Sequence, residues 1–99
     1  MNPVLITGAA GFIGMHCAKR LLAQGVPVVG IDNLNNYYDV ALKQARLNEL
    51  RPFANFRFVE LDVADRDGMA RLFAEVAPAK VLHLDAQAGL DQYIDQHNH

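Results

Sequence analysis

Two hydrophobic periods alternate along this chain. Residues 4–7 form a short apolar run. After a glycine-rich stretch, residues 12–24 carry apolar side chains at Ile13, Cys17, Ala18, Leu21 and Leu22, a spacing that predicts one face of a helix. Gly25 stands where a left-handed helix cap is wanted. Residues 26–31 are a continuous apolar run of strand length, as in a parallel strand covered on both faces, and Pro27 is tolerable near its start. An Asn-rich loop over residues 32–38 leads into residues 39–50, which are rich in good helix formers and are ended by Pro52. Residues 56–60 read as a third strand and Asp65 as an N-cap. Met69, Leu72, Phe73 and Val76 then follow the i, i+3, i+4, i+7 pattern of a buried helix face, closed by Pro78. Residues 80–84 supply a fourth strand.

The order is βαβαβαβ, which short right-handed crossovers wind into a four-stranded parallel sheet between two helical layers. The predicted fold is α/β, a Rossmann-like three-layer half domain over residues 1–84. Residues 85–99 form a separate zone, with Asp85, Asp91 and Asp95 and no Lys or Arg. Leu90, Tyr93 and Ile94 could make a short amphipathic helix there.

Composition narrows the class without changing the fold. A chain of 99 residues with 52% apolar residues, 20% charged residues and a net charge of −2 is one small globular domain with a modest core. Nothing in that balance calls for nucleic acid, and no apolar run approaches the roughly 18 residues of a membrane span. The expected location is the cytoplasm. The single cysteine, Cys17, excludes an internal disulfide and a cysteine-based zinc site. Serine is absent and threonine occurs once, at Thr7, which removes most hydroxyl nucleophiles. His83, inside the fourth strand, reads as a packed, hydrogen-bonded histidine, and His16 as structural or exposed. Asp91, Asp95, His97 and His99 have metal-ligand chemistry, but a terminal pair of histidines reads as a solvated tail, so no metal is expected.

The chemistry is concentrated between the first strand and the first helix, in T-G-A-A-G-F-I-G with Gly8, Gly11 and Gly14. Such a loop must turn sharply off the strand, let backbone approach a diphosphate, and pack the helix closely on the sheet. Free N–H groups at the helix start then face the anion. Asp32 follows eighteen positions after Gly14, at the end of the second strand, where an acid accepts hydrogen bonds from an adenosine ribose. A 2′-phosphate at that point would face a like charge, so NAD is favoured over NADP. The glycines would also serve a tight turn without a ligand, and Asp32 a loop. Asp62, after the third strand, could receive an adenine amino group with help from the Val63 backbone, or act only in its loop.

These segments resemble a known family. V-L-I-T-G-A-A-G-F-I-G, G-I-D-N-L-N-N-Y-Y-D-V-A-L-K-Q-A-R-L, F-V-E-L-D-V-A-D and V-L-H-L are similar to the N-terminal part of extended short-chain dehydrogenases of the NAD-dependent nucleotide-sugar epimerase type. The second segment is closest to UDP-glucuronate 4-epimerases. The resemblance runs from residue 3 to about residue 89 and implies that Gly8, Gly11, Phe12, Ile13 and Gly14 hold the diphosphate. It also assigns Asp32, Asn33 and Asn35 to the adenosine ribose side, Asp62 and Val63 to the adenine, and Leu84, Ala86 and Gln87 to the cofactor's central part.

Family members pass a hydride to bound NAD and back, using a tyrosine base with a lysine four residues later. In this chain Tyr37, Tyr38 and Tyr93 are followed at that distance by Ala41, Leu42 and His97. The family's H-L-A-A-Q-A-G-V-R appears here as H-L-D-A-Q-A-G-L-D, with Asp85 for an alanine and Asp91 for an arginine. The resemblance therefore implies a truncated, altered piece of an epimerase that binds NAD or an ADP-ribose-like dinucleotide without independent catalysis. Two other readings stay open: an enzyme half completed by another chain, and a structural or engineered fragment that keeps the fold but not the ligand. In the doubly wound order the fourth strand would expose an apolar edge, which predicts a homodimer paired through that edge.

Overall fold

The computed structural model describes residues 2–34 and 40–84. Seven elements follow one another: β1 (Val4–Thr7), α1 (Phe12–Ala23), β2 (Val28–Asp32), α2 (Val40–Leu50), β3 (Phe56–Glu60), α3 (Arg66–Val76) and β4 (Lys80–His83). The four strands form one parallel sheet in the order β3-β2-β1-β4. This is the first half of the doubly wound dinucleotide fold. The chain steps outward from β1 to β3 and then crosses back to the other side of β1. The carboxyl ends of β1 and β4 therefore flank the switch point, where such folds bind ligands.

Strand alternation divides the core between the two faces of the sheet. Val4, Ile6 and Val28 point to one side, where they meet Met15, Ala18 and Leu22 of α1 and Leu47 and Leu50 of α2. Leu5, Val29 and Ile31 point to the other, where Leu72 of α3 covers them. All four residues of β1 and all five of β2 are buried, as the continuous apolar runs require of central strands. β3 and β4 are more exposed.

Several boundaries and faces differ from the sequence expectation for identifiable reasons. β2 starts at Val28, not at residue 26, because the end of α1 claims Val26. Gly25 adopts φ 84°, Gly25 N donates to Leu22 O, and Val26 N donates to Leu21 O at 3.1 Å. This paired closure of a helix C-terminus uses the Val26 donor, and Pro27 has none to give. The buried stripe of α1 is also rotated from the predicted one. Gly14, Met15, Ala18 and Leu22 face the sheet, while Ile13 is 49% exposed. Phe73 of α3 is likewise 37% exposed, which leaves Leu72 as the buried anchor, with Met69 and Val76 packed beside it. Asp65 caps α3 as expected, accepting from Gly68 N at 3.0 Å. β4 closes at His83, one residue earlier than expected.

Among the described residues no helix is long and apolar enough to cross a membrane, and no group of three or more His, Cys, Asp or Glu could hold a metal ion. The tail helix expected around Leu90, Tyr93 and Ile94 lies outside the described residues, as do Asp85, Asp91, Asp95, His97 and His99.

Candidate functional site

The glycine loop leaves β1 through a left-handed turn. Gly8 has φ 71°, a conformation that a residue with a Cβ adopts only at a cost. Gly11 N then donates to Gly8 O at 3.0 Å, which closes the turn. Gly11 is the N-cap of α1 and offers no side chain to its helix. The N–H groups of Phe12, Ile13 and Gly14 have no carbonyl one turn earlier in the helix to bond, so they form an open donor set at the positive end of the helix dipole. Phe12 and Ile13 expose their side chains, at 62% and 49%. Their contribution at the loop is therefore backbone. Gly14 is a close-approach position, where an added Cβ would stand 2.1 Å from Gly8 O.

Asp32, the last residue of β2, is 5% exposed and faces the same loop. Its Oδ2 accepts from Ala10 N at 3.1 Å, which ties the glycine loop to the second strand. Its Oδ1 accepts from Leu34 N at 2.9 Å and from Lys43 Nζ at 3.0 Å. Holding Leu34 N against Oδ1 accompanies a backbone φ of 52° at Leu34. The carboxylate is therefore the hub of the loop, the β2–α2 turn and α2.

The carboxyl ends of β2 and β3 bring the predicted adenosine-side residues together. Asn33 Nδ2 donates to Asp62 Oδ2 at 3.4 Å, and Leu61 N donates to Asp32 O at 3.1 Å. Asp62 also organises its own loop, since Oδ1 accepts from Ala64 N at 2.9 Å and its carbonyl from Asp65 N. Val63, next to it, packs under α3. At the switch point Thr7 and His83 are register partners. Leu84 N donates to Thr7 Oγ1 at 2.9 Å, and Thr7 Oγ1 lies 2.8 Å from His83 Nδ1. Thr7 Oγ1 therefore joins the end of β4 to β1 through the Leu84 N–H and the His83 ring. The imidazole is hydrogen-bonded as expected but exposed rather than packed. His16 is exposed too, edge-on to Phe12 at 4.6 Å between ring centroids.

Of the predicted site residues, Gly8, Gly11, Phe12, Ile13, Gly14 and Asp32 lie on one connected stretch of backbone and hydrogen bonds. Asn33, Asp62 and Val63 border it on the β3 side and Leu84 on the β4 side. Asn35, Ala86 and Gln87 lie outside the described residues. Two residues of α2 were not foreseen. Lys43 is the ion-pair partner of Asp32, and Arg46 Nη1 donates to Ala10 O at 3.4 Å while its guanidinium lies 5.9 Å from the Phe12 ring centroid. A signal for Lys43 was present in the sequence. It falls on the same helical stripe as Leu47 and Leu50, both fully buried, and a cation among buried leucines calls for a partner.

A family model described as GDP-mannose 4,6 dehydratase matches residues 5–98. An uncharacterised 37.6 kDa protein of Escherichia coli O111:H- is 66% identical over 70 residues, 71% of this chain and 21% of its own length. A UDP-glucuronate 4-epimerase of Thermodesulfobacterium geofontis is 43% identical over 90 residues, 91% of this chain and 28% of its own length. A solved structure of UDP-glucuronic acid 4-epimerase from Bacillus cereus, in complex with UDP-glucuronic acid and NAD, aligns at a TM-score of 0.72. It is 34% identical, and the alignment covers 83% of this chain and 26% of that one. The chain thus spans between 21% and 28% of the length of these curated relatives. With the family model matched from the first strand to the last residues, and with the sheet order and glycine loop to go with it, the chain belongs to the GDP-mannose 4,6 dehydratase family of nucleotide-sugar epimerases and dehydratases.

Proposed function

We propose that this chain binds NAD, or an ADP-ribose-like dinucleotide, through its adenosine and diphosphate half, and that it does not turn over a nucleotide sugar by itself. The observation that carries the reading is the convergence of three helix-start N–H groups and a buried carboxylate, Asp32, on one loop. The donor chemistry fits the group. Backbone N–H groups without a competing side chain suit a diphosphate, and Gly11, the N-cap of α1, adds no side chain beside them. Among the described residues Oδ2 of Asp32 takes one hydrogen bond, which leaves an acceptor position for a ribose hydroxyl. In this reading Gly8, Gly11, Phe12, Ile13 and Gly14 hold the diphosphate, and Asp32, Asn33 and Asn35 the ribose. Asp62 and Val63 border the adenine, and Leu84, Ala86 and Gln87 run beside the central part. NAD, when bound, supplies a hydride acceptor.

The residues of this chain bind and orient. General acid–base help is typically worth about 10²- to 10⁴-fold in rate, and no Tyr-x-x-x-Lys is present to supply it. Residues 1–84 would act as the binding unit, with residues 85–99 as an acidic tail, in the cytoplasm. Two copies would pair through β4, which among the described residues has a strand on one side only and carries Val81 at 43% exposure.

Calorimetric titration with NAD and ADP-ribose tests the reading. Asp32→Ala, checked for retained fold by circular dichroism, should weaken both by about 10- to 100-fold, the worth of a hydrogen bond to a charged group. The same preparation should leave UDP-glucuronate unconverted. Equal affinities before and after the substitution, or steady conversion of the sugar, would overturn the proposal.

A further inference from the structure

The ion pair between α2 and the end of β2 has no role in the reading above, yet it sits on the acid that the reading depends on. A carboxylate offers about four acceptor positions. Among the described residues three on Asp32 are taken, by Ala10 N on Oδ2 and by Leu34 N and Lys43 Nζ on Oδ1. Oδ2, which takes one bond among the described residues, is where a ribose hydroxyl would donate. Lys43 would then hold its ammonium on one oxygen of the carboxylate while the ribose occupies the other. The Lys43 and Asp32 side chains are 13% and 5% exposed, so water and salt screen this pair far less than a surface pair.

An unpaired carboxylate would present a full negative charge to whatever stands on the ribose 2′ position. The pair as built presents a charge close to zero. Arg46 adds a second cation on the same face of α2, bonded to the carbonyl of the residue whose N–H binds Asp32. We propose that Lys43 is a specificity-determining residue acting through Asp32. By neutralising the carboxylate at the ribose, it sets how strongly the chain distinguishes a dinucleotide with a free 2′-hydroxyl from one with a 2′-phosphate. This rests on the NAD reading and deepens it. Asp32 alone does not fix the discrimination; the Asp32–Lys43 pair does, and it makes the chain more tolerant of a 2′-phosphate than a bare acid would.

The test is a pair of dissociation constants, for NAD and for NADP, on the full chain and on Lys43→Met. Losing a charge this close and this poorly screened should raise the NADP:NAD ratio of dissociation constants by about tenfold. Lys43→Arg should restore the ratio to within about threefold, because it restores the charge. A purely structural Lys43 would weaken both ligands by one factor and leave the ratio unmoved, which overturns the proposal. Should Lys43→Met unfold, the cycle of Asp32→Asn with and without Lys43→Gln replaces it. Asp32→Asn leaves an uncompensated cation and should draw the ratio toward NADP, and adding Lys43→Gln should remove that gain. A gain that survives Lys43→Gln refutes the role of Lys43. If the unaltered chain binds neither dinucleotide, the site reading itself fails and the Lys43 proposal falls with it. If it binds NAD but its ratio ignores Lys43, the second alone fails.

Discussion

Gly14→Ala is the sharpest perturbation of the loop on which the fold and the proposed site both depend. A Cβ at this position would stand 2.1 Å from Gly8 O, 2.9 Å from Gly8 C and 3.1 Å from the Cα of Ala9. Carbon atoms pack best at about 3.5–4.0 Å, so α1 or the loop would have to move by more than about 1 Å. All three obstacles are backbone atoms, and none can rotate away. Overpacking costs about 1–3 kcal/mol, and a backbone clash of this depth belongs at the upper end. Alanine recovers about 1 kcal/mol over glycine in a helix, which leaves a net loss of about 2 kcal/mol. For a domain of this size that lowers the melting temperature by about 8–16 °C. Gly11→Ala is the matched control, because its Cβ would meet the same oxygen at 3.2 Å and needs a shift of only a few tenths of an ångström. It should cost less than about 1 kcal/mol. Urea unfolding followed by far-ultraviolet circular dichroism measures both. A Gly14→Ala protein within about 0.5 kcal/mol of the parent, or a Gly11→Ala protein equally damaged, would refute the close-approach argument.

Two further outcomes are expected. Ala77 ends α3 in the left-handed conformation, φ 45°, with its N–H donating to Phe73 O, so Ala77→Gly should stabilise the chain by about 0.5–1 kcal/mol, read as a higher urea midpoint. If two copies pair through β4, light scattering after size exclusion should give a doubled mass, and Val81→Lys should shift it to the monomer, because a charge on an edge strand opposes pairing; a parent chain that is monomeric at high micromolar concentration rejects the pairing.

The topology was readable because the two central strands are continuous apolar runs and the helices between them end on unambiguous signals. Gly25 and Asp65 stand where the structure has a helix closure and a helix cap. The faces of the helices were harder to read. In α1 the stripe through Ile13 competes with one that begins at Gly14, and spacing alone does not decide between them. The deciding fact is the depth at which Gly14 meets Gly8, since the helix turns its smallest residue toward the nearest backbone. Ile13 then lies about 100° around the helix from the contact. Phe73 follows the same logic on α3, where Leu72 takes the place over Leu5 and Ile31.

The candidate site was legible where its chemistry lies in backbone and motif, and illegible where it depends on which way a second helix faces. Gly8, Gly11, Gly14 and Asp32 announce themselves by spacing, because a strand-to-helix turn and the next strand end fix their relation without reference to the rest of the chain. Lys43 and Arg46 lie 11 and 36 positions from the atoms they bond, Asp32 Oδ1 and Ala10 O, and only the docking of α2 beside α1 brings them there. That docking is set by Leu47 and Leu50, which are fully buried in the cluster shared with Met15, Ala18 and Leu22. Once those leucines face the sheet, Lys43 is carried to the same side by the four-residue step of the helix, and its charge must find a partner or remain outside. The acid that the glycine motif demands is the one it finds. Burial of two leucines thus determines which cation stands beside Asp32, and this is how a residue outside the motif comes to bear on the proposed site.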